Sequence, residues 1–524
     1  MAKKEKGKEK SKVWVKIFLP LYILILIVSF FKIYGQVFDD KIFLGGDNAH
    51  YYILGKSIVQ GEGYSNIETI DKRPNTHFPP GYPAIIAIAS VFSDDIGFIK
   101  QVNGFFMIAS ILLLFFIIKK LTESPHIAFI VSLLTLYNYH LLFYSSIMMS
   151  ELSFTFFSLV GICLFFRVDL KMPVLKNWLF ILLIIEVVAT CHIRTTGVAL
   201  AGAVIMVLLL KKKWQYLSVF FGGFIGFMLP WILRNNTLGS GNSYIKQLVR
   251  KNPYRAEEGL MEFSDWFTRI GENIQRYGGR EIPSGLWDSL VVLNYKDPIT
   301  TSNYIYGAIF IALISFGFVR LKKYRNLLLF YVLATFAILM LWPTVWFGTR
   351  FMMPVIPILI FMMVYGAYEL LWLIIQRFAR PEHKNTFQII LAVTCLISVK
   401  SYASNAIDLL KQNATGVYQK KYQNYFDLAN WINQNGADTS VTACRKQALF
   451  YLYSKKYTTN YKNTKDVYEQ LEYLKSQSVD YVVLDQLGYS STGLYLYPAI
   501  QQFPVKFPVV VKLNEPDTYL LRFR

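Results

Sequence analysis

Long apolar runs recur along the chain and constrain its fold more than any other feature. A helix needs about 20 predominantly apolar residues to cross a bilayer. Hydrophobic residues make up 54% of the 524-residue sequence, and only 17% of its residues are charged, against about 25% in soluble proteins. The pattern therefore predicts an α-helical polytopic membrane protein with about 11 transmembrane helices. The runs occupy residues 17–33, 97–118, 126–144, 152–166, 175–190, 196–210, 214–233, 303–319, 327–342, 351–375 and 386–400.

The basic residues are grouped in clusters between these runs. The formal net charge of +20 would suit a nucleic-acid-binding protein, but the clusters do not form one soluble basic face, so no nucleic-acid partner is expected. Cytoplasmic loops of membrane proteins are enriched in Lys and Arg. If every cluster is cytoplasmic, the N-terminus is inside, the C-terminus is extracytoplasmic, and all long loops lie on the outer face. We expect a multi-pass protein of the plasma (inner) membrane.

This topology divides the chain into three parts. Residues 1–16 form a basic cytoplasmic tail, residues 17–401 a transmembrane domain, and residues 402–524 an extracytoplasmic domain. The transmembrane domain includes the extracytoplasmic loops 34–96 and 234–302. The second of these loops carries two amphipathic pieces, at residues 257–277 and 283–294.

The C-terminal part alternates between amphipathic helices and short β-rich runs, which predicts a small α/β domain with a partly parallel sheet. One helix is predicted over Tyr418 to Asn435, with Gly436 as a left-handed C-cap. No catalytic cluster is evident here, so we expect the domain to pack on or cap the outer face. The remaining predicted helices are residues 446–453 and 464–477, and the strands are residues 439–443, 481–484, 506–512 and 518–523.

The four cysteines show no metal-binding or disulfide spacing. Because no CxxC pair or Cys/His pattern is present, we interpret them as small buried hydrophobic residues. They are Cys163, Cys191, Cys395 and Cys444.

A distinctive loop follows the first apolar run. It opens with Gly45-Gly46-Asp47-Asn48-Ala49-His50-Tyr51-Tyr52, continues through an amphipathic stretch, and ends in His77-Phe78-Pro79-Pro80-Gly81-Tyr82-Pro83. An acidic residue just outside the first span, then a helix and a Pro-Pro-Gly-Tyr-Pro turn, resembles the first extracytoplasmic loop of the GT-C superfamily. That superfamily includes protein O-mannosyltransferases and lipid A aminoarabinose transferases. The resemblance implies an integral membrane glycosyltransferase that uses a polyprenyl-phosphate-linked sugar.

The resemblance gives roles to two acidic residues. Asp47 matches the carboxylate that acts as, or beside, the general base that deprotonates the acceptor. The structural alternative is that Asp47 is the N-cap of a helix over residues 48–60. Glu151, in Ser150-Glu151-Leu152 at the outer start of a span, would assist Asp47 or bind the acceptor, or else is a carboxylate anchored at the interface.

Four cationic or titratable residues fall at the predicted outer ends of spans: His192, Arg194, Arg234 and Arg350. The segments Pro230-Trp231-Ile232-Leu233-Arg234-Asn235 and Arg350-Phe351-Met352-Met353-Pro354 resemble recurrent motifs of the superfamily. Arginine makes bidentate contacts with phosphate, so these residues are candidates for stabilising the polyprenyl-phosphate leaving group. The alternative is that each arginine extends to lipid headgroups.

His50, His77 and Tyr82 of the first loop complete the candidate substrate-binding set. The two histidines and Asp47 could hold a divalent cation, but the sequence lacks a paired Asp-x-Asp, and we predict no catalytic metal and no other cofactor.

The predicted reaction is inverting sugar transfer from a polyprenyl-phosphate donor to an acceptor glycan, lipid or protein, beside membrane lipids. Two alternatives remain open. One is an oligosaccharide ligase or polymerase that uses a polyprenyl-pyrophosphate donor. The other is a lipid or solute transporter, a class that places charges inside spans. Glu186 is the only clearly charged residue that we expect within a span.

Overall fold

A computed structural model of the chain describes residues 2–239, 243–255 and 258–524. Met1, the first residue of the predicted tail 1–16, lies outside the described residues. So do residues 240–242 and 256–257 of the predicted loop 234–302, and therefore also the first residue of the predicted amphipathic piece 257–277.

Most of the chain is helical. The first eleven helices are α1 (Ala2–Val37), α2 (Asp47–Val59), α3 (Gly81–Phe92), α4 (Ile96–Thr122), α5 (Pro125–Leu136), α6 (Tyr139–Ser145), α7 (Glu151–Phe165), α8 (Trp178–Ile193), α9 (Val198–Leu210), α10 (Trp214–Thr237) and α11 (Ser243–Leu248). The others are α12 (Phe263–Arg276), α13 (Ile282–Leu286), α14 (Thr301–Arg320), α15 (Arg325–Leu341), α16 (Ile356–Ile375), α17 (Lys384–Tyr402), α18 (Ser404–Thr415), α19 (Lys420–Asn435), α20 (Gln447–Ser454), α21 (Val467–Ser476) and α22 (Tyr497–Gln502). The strands are β1 (Val441–Ala443), β2 (Tyr457–Thr459), β3 (Tyr481–Leu484), β4 (Val509–Leu513) and β5 (Thr518–Arg522).

Five helices among the described residues are long and apolar enough to cross a membrane, and two bent helix pairs would raise the number to seven. The protein is therefore an integral membrane protein. Four of the predicted spans, at residues 152–166, 175–190, 196–210 and 327–342, coincide with apolar helices of fewer than 18 residues. Because these helices are short for a bilayer crossing, the predicted total of about 11 spans stays a prediction. The five long segments are Ile17–Val37, Ile96–Thr122, Trp214–Thr237, Thr301–Arg320 and Thr349–Ile375.

The chain forms two compact units. The helical unit comprises residues 1–40 and 100–414, and the loop unit comprises residues 41–99 and 415–524. The predicted division had instead placed the first loop with the transmembrane domain. The loop unit has this composition because Ala49 and Ile53 of α2 share one hydrophobic core with Phe426 of α19 and Phe450 of α20.

Helices α14 and α16 of the helical unit pack at close range through glycines. A Cβ atom at Gly317 would lie 2.2 Å from the carbonyl oxygen of Met362, and one at Gly366 would lie 2.1 Å from that of Leu313. Small residues permit such backbone contact between apolar helices.

A charged residue within α16 corrects one expectation from the sequence. Glu369 has a side chain only 7% exposed, and its carboxylate pairs with Arg320 at 2.8 Å and with Lys384 at 3.8 Å. The expectation that Glu186 is the only charged residue inside a span is therefore wrong. Glu369 is accommodated because basic residues from α14 and α17 neutralise its charge.

The loop unit contains a five-stranded sheet in the order β2-β1-β3-β5-β4. Strands β2, β1 and β3 are parallel, and β3, β5 and β4 are antiparallel, so the expectation of a partly parallel sheet is confirmed. The sequence reading missed β2, because a run of three residues carries almost no periodicity.

Helix α19 ends before Gly436, as predicted, but the predicted left-handed C-cap is wrong. Gly436 has φ −82° and ψ 146°, which is extended backbone. A Cβ atom at this position would lie 2.8 Å from the carbonyl oxygen of Ile432 and 3.0 Å from Ser440 Oγ. Glycine is therefore needed here for close packing rather than for its left-handed conformation.

Candidate functional site

Asp47 is the first residue of α2 and not its N-cap. The N-cap is Gly46, whose φ of +102° would strain any residue with a side chain. The carboxylate therefore lies in the first turn of α2, where the positive end of the helix dipole favours an anion. The alternative interpretation of Asp47 as an N-cap is wrong by one residue.

A tight turn places His77 and Phe78 in the loop unit. The Asn75 side-chain oxygen accepts from the backbone N–H groups of both residues, each at 3.0 Å. The Tyr64 hydroxyl donates to the Phe78 carbonyl at 3.0 Å, and this bond holds Phe78 in the turn. The two prolines that follow lead into α3, where Tyr82 is buried.

The predicted loop residues Asp47, His50, His77 and Tyr82 belong to one connected group, in which His50 and His77 contact Phe78 and the Asp47 charge acts on His77. The Phe78 ring lies 5.7 Å from His50 and 4.7 Å from His77, and Tyr51 bridges from Phe78 to Tyr82. Burial lowers the pKa of His77, against a smaller opposing effect of the Asp47 charge. His77 is therefore neutral at pH 7.

Glu68, which the sequence reading did not single out, lies beside this group. Its side chain is 0% exposed, and its carboxylate oxygen is 3.5 Å from His50 Nδ1. Among the described residues, neither Glu68 oxygen accepts a hydrogen bond. The contact between Glu68 and His50 is therefore electrostatic and not a hydrogen bond, and it makes Glu68 a candidate positioning residue for His50.

A cavity of about 160 Å³ in the loop unit opens beside Asp47. We call it the Asp47 pocket. Its lining includes both Asp47 and His50 and the basic residues Arg445 and Lys446. The lining consists of Gly45, Gly46, Asp47, His50, Arg445, Lys446, Gln447, Ala448, Leu449 and Asn460.

In the helical unit, Glu151 and Arg194 form a buried ion pair. Glu151 is 0% exposed, and Arg194 Nη1 lies 2.7 Å from its Oε1. The same nitrogen donates to Ser150 Oγ at 3.2 Å. Arg194 caps the end of α8, and Glu151 begins α7, so the pair joins two helix ends.

Arg350 belongs to the same group of residues. The phenol of the buried Tyr144 interacts electrostatically with Glu151, Arg350, Arg194 and Tyr295. We call these five residues the helix-end cluster. The cluster holds two arginines and one carboxylate, and arginine makes bidentate contacts with phosphate.

A partly buried hydrogen-bond network holds the segment that carries Arg350. The Tyr295 hydroxyl accepts from the Thr349 backbone N–H at 3.2 Å and lies 3.1 Å from Thr349 Oγ1. Arg280 donates to the Tyr295 carbonyl at 2.7 Å, and Glu281 pairs with both Arg280 and Arg276. Arg276 precedes a π-helical segment, Tyr277–Glu281, that contains Arg280 and Glu281. Helices of this form often occur at functional sites.

We expect Tyr295→Phe to weaken donor binding by up to about tenfold, because losing a hydrogen bond costs about 1 kcal/mol and frees the backbone next to Arg350. The measurement is the KM for a polyprenyl-phosphate-linked sugar, the donor class that the sequence resemblance implies. Tyr306→Phe is the matched control, since the Tyr306 ring is 45% exposed and its hydroxyl bonds to no described residue. An unchanged KM in Tyr295→Phe would contradict the positioning role.

His192 and Arg234 form a separate group with Trp231. The His192 ring lies 6.3 Å from Trp231, and the Arg234 guanidinium lies 4.9 Å from the centre of the same ring. Arg234 also donates to the Asn235 side chain at 3.1 Å. The sequence predicted these residues as part of one phosphate-binding set with Arg194 and Arg350.

No group of three or more His, Cys, Asp or Glu side chains in the described ranges could hold a metal ion. The absence of a catalytic metal stays a prediction.

The sequence reading also missed Arg445 and Lys446. A usable signal was present, because Arg445 lies between the predicted strand 439–443 and the predicted helix 446–453, which begins at Lys446. Ligands of α/β sheets bind at the carboxyl ends of parallel strands.

No family model and no curated protein matches the sequence. Solved structures do resemble the fold. ArnT from Cupriavidus metallidurans in the apo state has a TM-score of 0.61 at 11% identity, over 96% of this chain and 97% of that one. The same protein bound to undecaprenyl phosphate gives 0.56 at 12% identity, over 96% and 98%.

The oligosaccharyltransferase of Archaeoglobus fulgidus, tethered to an acceptor peptide containing the NVT sequon, gives a TM-score of 0.59 at 12% identity. The match covers 98% of this chain and 75% of that one. These neighbours are GT-C glycosyltransferases. At such low identity the likeness shows the fold, and the chain therefore has the GT-C type of fold that its loop motifs predicted.

Proposed function

We propose that this protein transfers a sugar from a polyprenyl-phosphate-linked donor to an acceptor hydroxyl. The observation that carries the proposal is the Asp47 pocket, in which a carboxylate at a helix N-terminus faces a small polar cavity in a chain with a GT-C type of fold. Fold alone does not define function, so the chemistry of the site has to support it. The undecaprenyl phosphate bound by ArnT agrees with a donor of this class.

In the proposed reaction, Asp47 accepts the proton of the acceptor hydroxyl as that oxygen attacks the anomeric carbon. The bond between the anomeric carbon and the phosphate oxygen breaks, and polyprenyl phosphate leaves with the bonding electrons. A single displacement inverts the anomeric configuration. The Glu68 carboxylate lies 3.5 Å from His50 in the same loop unit as Asp47, and burial favours the neutral form of His77.

Arginines of the helical unit are proposed to bind the donor phosphate. Arg350 and Arg194 of the helix-end cluster are the first candidates, because guanidinium groups make bidentate contacts with phosphate. Arg234 and His192 are a second candidate group beside Trp231. Cations at the leaving group stabilise the charge that develops as the glycosidic bond breaks.

We also propose that the N-terminus is cytoplasmic and that the loop unit is extracytoplasmic at the plasma membrane. The support is the distribution of Lys and Arg between the apolar runs. The acceptor class, a glycan, a lipid or a protein, belongs to the same proposal.

A test is donor turnover by the full-length protein in proteoliposomes, with synthetic polyprenyl-phosphate sugars. Release of polyprenyl phosphate and an inverted product linkage are the expected results. Protein-free liposomes are the control. Movement of donor across the bilayer without cleavage would favour the transporter alternative and contradict the proposal.

Transfer of a whole oligosaccharide is a second candidate, because the oligosaccharyltransferase of Archaeoglobus fulgidus has a similar fold. A donor series separates the two. Turnover of monosaccharyl donors supports single-sugar transfer, whereas turnover that requires an oligosaccharyl pyrophosphate supports the ligase.

A further inference from the structure

The turn between β1 and α20 has the position of a ligand site in an α/β sheet. Strands β1 and β2 are parallel neighbours joined through α20. Arg445 and Lys446 follow β1 after one intervening residue, Cys444, and Asn460 lies directly after β2. Side chains at the carboxyl ends of adjacent parallel strands meet at one edge of the sheet, where ligands commonly bind. All three residues line the Asp47 pocket.

Arg445 is oriented by an aromatic ring, and its charge interacts electrostatically with the buried Asp485 carboxylate. Its guanidinium lies 4.8 Å from the centre of the Tyr489 ring. Across the part of the chain that the structure describes, its side chain makes no hydrogen bond or ion pair, and its Nε atom is buried without a partner. An arginine stacked on an aromatic ring keeps its N–H groups in one plane, available for an oxyanion.

Lys446 and the start of α20 add to this positive region. The Lys446 ammonium donates to the Gly45 carbonyl at 2.8 Å and lies 5.0 Å from the Tyr489 ring centre. Gln447, Ala448 and Leu449, the first residues of α20, line the pocket, and no side chain caps this helix start. The first N–H groups of a helix lack intrahelical acceptors and favour anions.

Asp47 lines the same cavity, so the pocket contains a carboxylate that can take a proton and two cationic side chains. A ligand with a hydroxyl and an oxyanion would complement the carboxylate and the two cations, respectively. We propose that the Asp47 pocket binds an acceptor in which the attacking hydroxyl lies close to a phosphate-type oxyanion, which Arg445 and Lys446 hold. This inference rests on the proposed glycosyltransferase function.

The size of the pocket limits what enters it. A volume of about 160 Å³ corresponds to about five waters, at about 30 Å³ of liquid volume for each. One phosphate group and the few atoms that link it to the hydroxyl fill such a space. The rest of the acceptor remains outside.

The test is phosphate protection of Arg445 against phenylglyoxal in the full-length protein in nanodiscs, read by peptide mass spectrometry. Arg522 is the internal control, because it is exposed and stacks on Tyr481 at 5.3 Å much as Arg445 stacks on Tyr489. We expect inorganic phosphate to slow the modification of Arg445 by tenfold or more relative to chloride at equal ionic strength, with no change at Arg522. Equal rates at Arg445 in both salts would overturn the proposal.

Lys446→Gln adds a second measurement. Loss of one charge-assisted hydrogen bond should raise the phosphate concentration for half-protection of Arg445 by about tenfold. Unchanged Arg522 reactivity would show that the variant is folded. Half-protection at the wild-type concentration would contradict the role of Lys446.

Two ligands distinguish the source of the oxyanion. Glycerol 3-phosphate carries a hydroxyl beside a phosphate and should protect Arg445, whereas polyprenyl phosphate in the nanodisc should not. Protection by polyprenyl phosphate alone would assign the pocket to the donor and overturn the acceptor assignment. Donor turnover is measured in the same preparation. Protection of Arg445 by phosphate without donor turnover would contradict only the proposed function. Donor turnover without protection of Arg445 would contradict only this inference.

Discussion

Asp47→Asn is expected to lower sugar transfer by about a hundredfold or more, because asparagine cannot accept the proton of the acceptor hydroxyl. Asparagine has nearly the same size and retains a polar side chain in the first turn of α2. The measurement is kcat for transfer in proteoliposomes at saturating donor. Since the substitution removes a group that acts in the transition state, kcat should fall with little change in the KM for the donor.

Asp71→Asn is the matched control for this experiment. Asp71 belongs to the same loop unit, its side chain is 41% exposed, and it pairs with Arg73 at the surface. An exposed ion pair is worth at most about 1 kcal/mol, so transfer should hardly change. Equal transfer by Asp47→Asn and the wild-type protein would remove Asp47 as the general base and make Glu151 the next carboxylate to test.

Arg194→Met is expected to destabilise the helical unit by about 3 to 5 kcal/mol, the typical effect of removing one partner of a buried ion pair. The physical reason is the Glu151 carboxylate, which is 0% exposed and would lose the guanidinium 2.7 Å away. Thermal unfolding of the detergent-solubilised protein is the measurement. The double variant Glu151→Gln with Arg194→Met should recover part of the loss, because no buried charge then lacks its partner.

Arg167→Met controls for loss of an arginine near the other end of α7. Arg167 is exposed and follows α7 by two residues. Its removal should leave the unfolding temperature nearly unchanged. If Arg194→Met unfolds at the same temperature as Arg167→Met, the Glu151 pair does not stabilise the helix ends.

The same variants separate two roles for Glu151. If its function is to hold Arg194, Glu151→Gln should raise the KM for the donor and lower the unfolding temperature. If it also acts on the acceptor, kcat should fall as well. An unchanged KM with an unchanged unfolding temperature would contradict the first role.

Local sequence signals located the helices and part of the site. Apolar runs predict buried helices wherever they occur, since burying them in lipid or protein is the only favourable outcome. The glycine pair before Asp47 and the Pro-Pro-Gly-Tyr-Pro turn before α3 are also local features, because backbone conformation at glycine and proline depends on neighbours in the chain. These patterns indicated α2, α3 and the GT-C type of fold.

Only the tertiary structure showed which distant residues meet. Arg445 and Lys446 line a pocket with Asp47, about four hundred residues earlier in the chain, because α2 and α20 share one hydrophobic core. Glu68 lies 3.5 Å from His50 in the first loop, and no periodicity indicates such contacts.

The sequence by itself determined that the chain is a helical membrane protein with an acidic first loop, because hydropathy and turn chemistry act over a few residues. The tertiary structure decided that the first loop belongs to one compact unit with the C-terminal sheet, and that Glu151 pairs with Arg194. Both results depend on the packing of segments far apart in the chain. The free energy of such packing comes from contacts between segments, so the sequence of one segment does not predict it.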